Sequence, residues 1–313
     1  MKQSRISQAL SIFDDFKIKS EFVTQNYFLF GKEKQYEIDI ASDLETRKEA
    51  YQLMYKLYRS PEMDYALDDP TRMWYSIFNA NVHTNTIVVR NVQTRQVIAT
   101  LTIVVDSVLG LPLEESYPKE LNEFRNKKRI CAEIISLGFD ENVKYSNEIL
   151  VELFKYSFLV SKSIYSATDF LIMIKPRHGL FYIRKLLFEV IGKEINCTKI
   201  NNNPVMLFHL DLAKVKDQTK LENKNGRNNN GEMYKDFELA LHNKKWMAAI
   251  KKAVLDSELS IAEIEYFFMK EKDLLSKLEP SIILEMSQLF QSRDTRIFLQ
   301  DISNMCTLEY LNI

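Results

Sequence analysis

Apolar side chains recur at intervals of two residues in some stretches of the chain and at intervals of three or four in others. Residues 35–40 alternate between apolar and polar side chains, which predicts a strand. Residues 44–58 have helical spacing, and the pattern Ser42-x-x-Glu45 in front of them predicts a capping box. This part of the chain is therefore predicted to form a strand followed by a helix.

The same two periodicities continue as far as residue 212. Stretches rich in Val, Ile and Thr predict strands, and the first two of these, separated by a short polar turn, predict a hairpin. The predicted strands are 86–91, 96–106, 129–139, 170–175 and 205–210, and the predicted helices are 119–128 (a polar helix or loop), 146–161 and 179–188. The order β-α-(α)-β-β-β-α-β-α-β predicts an α/β fold, in which a mixed sheet over residues 35–212 has helices on both faces.

The two flanks of this region have other patterns. Residues 213–235 are polar and rich in asparagine, which is typical of a linker. Residues 1–34 contain a short amphipathic helix that we expect to dock on the core. A peripheral contact of that helix with a membrane surface, or with a partner, is the alternative.

The last part of the chain, residues 236–313, has no strand pattern and predicts a helical domain or a helical cap on the first domain. Within it, Ser260-x-x-Glu263 is a second capping-box pattern. Pro280 is predicted to end the helix that follows this box. The chain is thus divided into a short N-terminal segment, a mixed-sheet domain, a linker and a helical domain.

Charge balance and cysteine content exclude several classes of protein. The 313 residues contain 42 Lys and Arg and 43 Asp and Glu, which argues against a broad nucleic-acid surface. Three cysteines far apart in sequence do not have the spacing of a disulfide scaffold or a zinc site, so we expect a reducing compartment and no metal. Because no apolar stretch approaches the length of a membrane span, we expect a cytoplasmic protein.

Two blocks of sequence carry a family pattern. The first block consists of 100–107 (T-L-T-I-V-V-D-S), 110–112 (G-L-P), Arg125 and 131–133 (C-A-E). The second consists of 168–170 (T-D-F), 175–178 (K-P-R-H), 181–182 (F-Y), 188–189 (F-E) and 203–205 (N-P-V). In this order and spacing, the blocks resemble the GNAT-fold N-acyltransferases of the autoinducer-synthase type, and most closely their N-acyl amino acid synthase branch.

The resemblance covers about residues 35–212 and implies a GNAT fold that transfers an acyl group from a thioester to an amine. The donor that it implies is an acyl-phosphopantetheine thioester on an acyl carrier protein, rather than acyl-CoA, with no bound cofactor. The implied acceptor is an amino acid or a similar small amine. The residues favour the carrier protein, because segment 140–147 lacks the glycines that cradle the pyrophosphate of coenzyme A and carries Asp140 and Glu141 instead.

Glu133 is the first catalytic candidate. It is predicted to lie on a strand between Ala132 and Ile134, where a carboxylate is buried at a cost unless it is paired. The resemblance places this position opposite the acceptor and implies a base that takes a proton from the acceptor ammonium, directly or through water. The alternative is a structural glutamate that pairs with Arg125 or Arg129.

Tyr182 and His178 are the other catalytic candidates. The resemblance implies that Tyr182 protonates the departing thiolate, and the alternative is an aromatic residue of the core. His178 is a candidate second base and Arg177 a ligand for a carboxylate or phosphate, because both follow the C-terminal end of a strand, where open α/β sheets bind ligands. Lys175 replaces the family's asparagine in this run, and Leu187 replaces its glycine.

Four further residues are predicted to contact substrates. Ser136 lies on the expected acceptor side, and Thr102 stands where the homoserine-lactone branch of the resembling enzymes carries an arginine. Tyr65 and Trp74 fall in the segment that, by the resemblance, closes over the acyl pocket. The alternatives for these two are an ordinary loop residue and a surface aromatic residue.

The sequence leaves alternatives open both for the contact with a carrier protein and for the activity. Residues 127–129 (K-K-R) are the clearest basic run for contact with an acidic carrier protein, and an ordinary solvated face is the alternative. Two other functions stay open beside the N-acyltransferase. One is a binding module that keeps the fold without catalysis, and the other is a protein acyltransferase whose helical tail recruits its target.

Overall fold

The computed structural model describes residues 36–59, 69–143, 146–215 and 242–310. The predicted N-terminal segment, most of the predicted linker and Tyr65 lie outside the described residues. The predicted division of the chain into domains stays a prediction.

The strands form one mixed sheet. They are β1 (Tyr36–Ile40), β2 (Thr84–Asn91), β3 (Val97–Val105), β4 (Cys131–Phe139), β5 (Asp169–Ile174), β6 (Glu189–Val190), β7 (Ile195–Cys197) and β8 (Asn203–Asp211). Their order is β1-β2-β3-β4-β5-β8-β6, and β7 also pairs with β8. The pairing of β4 with β5 is parallel, and the other pairings are antiparallel. The predicted mixed sheet is confirmed, while β6 and β7 are too short to show a periodic pattern in the sequence.

Helices cover both faces of this sheet. They are α1 (Leu44–Tyr58), α2 (Pro118–Asn126), α3 (Ser146–Ser163), α4 (Gly179–Leu186), α5 (Lys244–Asp256), α6 (Ile261–Glu265), α7 (Pro280–Ser287) and α8 (Arg293–Tyr310). None of the helices in the described ranges combines the length and the apolar character that crossing a bilayer requires.

The two faces can be told apart by the alternation of side chains along each strand. On one face, which we call the α3–α4 face, Leu101 and Phe170 pack with Phe154 of α3 and Leu186 of α4. On the opposite face, which we call the α1–α2 face, Val104, Leu171 and Leu207 pack with Leu121 of α2. Ala50 of α1 packs on this second face against Val88.

Two helix ends differ from the predictions. The N-cap of α1 is Asp43 and not Ser42, because the Asp43 carboxylate accepts hydrogen bonds from both Thr46 N at 2.9 Å and Thr46 Oγ1 at 2.6 Å. Pro280 does not end a helix but begins α7. Its fixed φ and missing N–H suit the first turn of a helix, where no intrahelical partner is needed.

The second capping box is confirmed, but the helix behind it is interrupted. Ser260 Oγ accepts from Glu263 N, and Glu263 Oε2 accepts from Ser260 N at 2.9 Å. The helix α6 then widens into a π-helical turn over Tyr266–Glu271. This turn points Phe267 and Phe268 together into the core, where both are fully buried.

The C-terminal helices belong to two different cores. Ile250 and Val254 of α5 belong to the core of the α3–α4 face. The elements from α6 to α8 form a separate core with Tyr51 of α1 and with Met73 and Tyr75, which precede β2. The helical region is therefore packed against the core of the α3–α4 face, against α1 and against the residues before β2.

A buried ion pair joins the last helices to α1. Arg47 of α1 pairs with Glu263 of α6, and its guanidinium also donates to the carbonyl of Ser257 at 2.6 Å. Ser257 in turn accepts a hydrogen bond from Asn85 Nδ2 of β2 at 3.1 Å. Because removing one partner of a buried pair leaves an uncompensated charge, this junction is expected to be sensitive to substitution at either residue.

Candidate active site

The strands β4 and β5 are paired at one end and separate at the other. Their parallel pairing consists of Cys131 with Asp169, Ala132 with Phe170 and Glu133 with Leu171. Beyond Glu133, β4 continues for six residues and β5 for three, without pairing to each other. The centre of the sheet therefore opens immediately after Glu133, and ligands of open sheets bind at such openings.

A β-bulge lies on β4 just past the start of this opening. Thr100 of β3 pairs with Gly138, whereas Thr102 pairs with Ile135, so β4 has one extra residue between these two pairs. Ser136 lies in the bulge with a φ of +50°, in the left-handed region. Bulges of this kind are frequent beside active sites, where they redirect side chains.

Glu133 is almost fully buried, with 1% of its surface exposed. Its neighbours alternate between the faces: Cys131 and Ile135 belong to the α1–α2 face, and Ala132 and Ile134 to the other. The side chain of Glu133 is therefore on the α1–α2 face. Its Oε2 accepts a hydrogen bond of 2.8 Å from the backbone N–H of Leu113. That bond offsets part of the cost of burying the carboxylate and fixes the orientation of the side chain.

The turn that supplies the Leu113 N–H is folded around a single arginine. Arg125 of α2 donates two hydrogen bonds to Asp106, at 2.8 and 2.7 Å, and two to Glu114, at 2.6 and 2.8 Å. Gly110 has a φ of +70°, and a Cβ on it would lie 2.3 Å from Glu114 Oε2. Residues 106–114 are thus closed into a compact turn, and Leu113 is on the part of it that reaches Glu133.

Arg125 and Arg129 are the two arginines predicted as alternative ion-pair partners of Glu133. Arg125 binds Asp106 and Glu114, and Arg129 binds Asp169 with two bonds of 2.6 Å and Asp211 at 3.1 Å. Both arginines thus bind other carboxylates.

Tyr182 lies on the α3–α4 face, in the first helix after β5. Its ring makes edge contacts with Phe154, Phe181 and Phe188, at centroid distances of 6.2, 5.5 and 5.8 Å. Burial raises the pKa of its hydroxyl well above the usual value for tyrosine, so the group stays protonated at neutral pH. Within the described residues, no side chain or backbone group forms a hydrogen bond with this hydroxyl.

His178 and Arg177 form a short helical turn between β5 and α4. Arg177 Nε donates to His178 Nε2 at 3.2 Å. Burial, and after it the positive charges of Arg177 and Lys175, lower the pKa of His178, so its ring is neutral at pH 7 with the proton on Nδ1. In this arrangement the lone pair of the ring already accepts a bond, and a role as second base would require that bond to open.

The remaining candidates are spread over the α1–α2 face. Thr102 is buried, and its Oγ1 lies 3.1 Å from Oγ1 of Thr86. Trp74 is half-buried and packs edge-on against Tyr58 at a centroid distance of 4.9 Å. Tyr65 is outside the described residues. The structure thus brings Glu133, Ser136 and Thr102 to the same part of the sheet, and their roles stay predictions.

The loop after β4 differs from the expectation in one respect. Asp140 and Glu141 were expected to repel a pyrophosphate, but both bind Lys56 of α1, each at 3.3 Å. A backbone hydrogen bond from Asn142, together with Lys56, lowers the pKa of Asp140. The carboxylates are therefore partly neutralised, and the missing glycines are the stronger argument against a pyrophosphate cradle.

Two other features of the described residues bear on the chemistry. A groove of about 510 Å³ beside this loop is lined by charged residues such as Lys56 and Asp140 and by apolar residues such as Leu53, Val97 and Ile98. No group of three His, Cys, Asp or Glu side chains in the described ranges is placed to hold a metal ion.

The comparisons with known proteins agree with this geometry. The family model that matches is that of the N-acyl amino acid synthase FeeM, and it covers residues 49–211, slightly more than half of the chain. Among solved structures, FeeM from uncultured soil microbes is 22% identical with a TM-score of 0.50, and the match covers 57% of this chain and 93% of that chain. A comparison with curated protein sequences gave no match.

Two further solved structures are similar over the same part of the chain. The AHL synthase LasI is 12% identical with a TM-score of 0.41, covering 56% of this chain and 89% of that chain. An N-acetyltransferase from Staphylococcus aureus Mu50 is 15% identical with a TM-score of 0.40, covering 57% and 98%.

The open mixed sheet and the likeness to FeeM define a GNAT-like acyltransferase fold. Because its family model spans more than half of the sequence, the chain belongs to the FeeM family of N-acyl amino acid synthases. It is an enzyme, an N-acyltransferase whose donor is an acyl thioester.

Proposed function

We propose that this N-acyltransferase moves a long acyl group from an acyl-carrier-protein thioester to the amine of an amino acid or a similar small acceptor. The observation that carries the proposal is the buried Glu133, oriented by the Leu113 N–H at the point where β4 and β5 separate. A carboxylate in this position suits an acceptor that arrives as an ammonium ion, because it attracts the cation and can accept its proton.

The reaction is divided between the two faces of the sheet. On the α1–α2 face, Glu133 takes a proton from the acceptor ammonium, directly or through water, and the free amine attacks the thioester carbonyl. The attack forms the C–N bond of a tetrahedral intermediate, and the nitrogen gives up its second proton to solvent. The C–S bond then breaks, its electron pair leaves with the sulfur, and Glu133 releases its proton to solvent. On the α3–α4 face, the hydroxyl of Tyr182 gives the thiolate a proton, which solvent then restores to the tyrosine. The products are an amide, a thiol and one proton.

The two sides of the opening suit the two halves of the product. The α3–α4 face beside Tyr182 consists of aromatic and aliphatic side chains, such as Phe154 and Phe188, and suits the acyl chain. Each methylene buried there contributes about 0.8 kcal/mol to binding before ordering costs. The α1–α2 face carries Glu133, Thr102 and the Ser136 bulge, and suits a small polar acceptor.

The carrier protein as donor is supported by the loop after β4 and by the surface of α4. The loop lacks the glycines of a pyrophosphate cradle, and a carrier-bound thioester presents only one phosphodiester. Of the basic run at residues 127–129, Arg129 is occupied by Asp169 and Asp211, which weakens that run as the docking site. The exposed face of α4 combines Arg184 with Leu180 and Ile183 and fits an acidic, partly apolar partner better.

The test is a donor and acceptor screen with the full chain. The protein is incubated with palmitoyl-carrier protein or palmitoyl-CoA and a mixture of the twenty amino acids, and N-acyl amino acids are quantified by mass spectrometry. We expect product with the carrier protein, little with coenzyme A, and none with Glu133→Gln. Product with coenzyme A alone would refute the donor proposal. Acylated protein instead of small amides would identify a protein acyltransferase, and no transfer to any acceptor would indicate a binding module.

A further inference from the structure

The C-terminal helices lie outside the residues that match the family and hold a segment in front of β2. This segment, residues 69–83, leads into β2 and contains a short helical turn, Ile77–Ala80. One side of it contacts the helical region and the other contacts the surroundings of Glu133.

On the side of the C-terminal helices, Lys272 binds the first part of the segment. It follows the π-helical turn directly, and its ammonium group pairs with Asp69 at 2.5 Å. The same group donates to the carbonyls of Met73 at 2.9 Å and of Tyr75 at 3.3 Å, and lies 4.1 Å from the centre of the Tyr75 ring. One side chain therefore makes three polar contacts with the segment and one cation–π contact.

Tyr75 provides the second attachment. Its hydroxyl donates to the carbonyl of Phe267 in the π-helical turn at 2.7 Å. Its ring stacks on Tyr51 of α1 at 5.0 Å and meets Phe267 and Phe268 edge-on at 5.4 and 5.8 Å. A π-helical turn inside a helix is rare and is frequently found at functional sites.

On its other side, the segment reaches the neighbours of Glu133. Phe78 packs against the apolar cluster that contains Val104, Leu113 and Leu171. Val104 and Leu171 are the residues paired with Glu133 on the two adjacent strands, and Leu113 provides its hydrogen bond.

A polar contact also connects segment 69–83 with the surroundings of Glu133. Asn81 Nδ2 donates to the carbonyl of Val105 at 3.2 Å and to Ser107 Oγ at 2.9 Å. Ser107 belongs to the turn of residues 106–114 that reaches Glu133. The segment is thus hydrogen-bonded to this turn and packed against the residues around the carboxylate.

We infer that the C-terminal helices shape the acceptor side of the active site, with Lys272 and Tyr75 as positioning residues that act through segment 69–83. This inference rests on the proposed function, because it assigns the α1–α2 face to the acceptor. The helical region then sets the affinity for the amine and leaves the donor side, on the other face of the sheet, unaffected.

The kinetic test uses Lys272→Met, which keeps the length of the side chain and removes its charge. Losing hydrogen bonds made by a charged group is expected to raise the KM for the acceptor by about 10-fold. The KM for the acyl-carrier protein is expected to stay unchanged, and Tyr75→Phe is expected to give a smaller rise in acceptor KM. The matched control is Lys270→Met on the same turn, because Lys270 is exposed and pairs only at 3.7 Å with Glu265. Equal changes in both KM values, or a lower melting temperature with an unchanged acceptor KM, would overturn the inference.

Hydrogen exchange followed by mass spectrometry gives a second measurement that needs no turnover. Lys272→Met is expected to speed exchange in residues 73–80 and in the turn 106–114, and Lys270→Met is expected to do neither. If exchange in the turn does not change, the coupling to Glu133 is refuted whatever the enzyme makes. If the wild-type protein forms no N-acyl product while exchange changes as expected, the proposed function fails and the coupling stands.

Discussion

The two ends of the β4–β5 pair each hold a buried carboxylate, in different surroundings. At the paired end, Asp169 is fully buried, and its carboxylate binds the Arg129 guanidinium with two bonds of 2.6 Å and His209 Nε2 at 2.7 Å. At the open end, Glu133 is equally buried, but the hydrogen bond that fixes it comes from a neutral backbone N–H. The first carboxylate belongs to a closed network with Arg129 and His209, whereas the second lies where β4 and β5 separate and accepts from a backbone N–H.

This difference separates residues that stabilise the sheet from residues that act on a substrate. A carboxylate in a closed ion network contributes to stability and has little left to offer a ligand. A carboxylate at the opening of the sheet, oriented by a backbone N–H, is suited to bind a cation and to take up its proton. Substitutions at the two ends are therefore expected to affect different measurements.

The largest effect is expected at the open end. Glu133→Gln keeps the oxygen that accepts from Leu113 but cannot accept a proton from the ammonium, so kcat should fall by about 10²- to 10⁴-fold. Steady-state kinetics with the acyl-carrier protein measure the loss, and circular dichroism checks that the variant is folded. A kcat within about threefold of the wild type, a change worth less than 1 kcal/mol, would remove Glu133 from the mechanism.

A substitution at the paired end of β4 and β5 should change the free energy of unfolding rather than turnover. The hydrogen bonds from His209 and Arg129 outweigh burial and lower the pKa of Asp169 from 3.8 to about 2. Because the folded-state value is below the unfolded one, this contribution is complete above pH 4 and disappears as the pH falls towards 2. Asp169→Asn should therefore lower the free energy of unfolding at pH 7 by roughly 2 kcal/mol.

Urea unfolding at pH 7 and at pH 3 checks the size and the direction of this effect. The difference between wild type and Asp169→Asn should shrink at the lower pH, and kcat per folded molecule should change little. A loss of turnover as large as that of Glu133→Gln would contradict the division between the two ends.

The third prediction compares the loss of kcat on substituting Arg125 with the loss on substituting Arg129. Arg125→Gln loosens the turn that carries the Leu113 N–H, and we expect kcat to fall by about 10-fold, the value of one hydrogen bond to a charged group. Arg129→Gln is the matched control, because it breaks an arginine–carboxylate network of similar size at the paired end. It should reduce stability without a comparable loss of kcat, and equal losses of kcat would show that the turn has no special role.

The smallest effect is expected for Tyr182→Phe. A thiol with a pKa of about 8.5 is already a tolerable leaving group near neutral pH, so the loss of its proton donor should cost only a few-fold in kcat. The ring contacts with Phe154 and Phe188 are retained in this variant, which keeps the packing intact. A loss equal to that of Glu133→Gln would mean that breakdown of the intermediate, and not deprotonation of the amine, limits the reaction.

Much of this arrangement could be predicted from the sequence, because it depends on local patterns. The apolar neighbours of Glu133 predicted its burial, and the position of Tyr182 after the fifth strand predicted its helix. The contact from Leu113 could not be predicted, since a backbone N–H leaves no trace in the residue type.

The contacts between distant parts of the chain were also missed. The ion pairs of Lys56 with Asp140 and of Lys272 with Asp69 join residues 84 and about 200 positions apart, and no spacing rule applies over such distances. The sequence predicted helices in this last part of the chain but not what they contact, so their packing against Tyr51 and Tyr75 could not be predicted.

The extra residue at Ser136 has a consequence for the whole second half of β4. It reverses the alternation of the strand, so that Leu137 and Phe139 point into the same core as Ile134, although simple alternation would place them on the side of Ile135. Deleting one residue here would turn every later side chain of β4 to the opposite face of the sheet. Homologous sequences are therefore expected to keep the length of β4 constant.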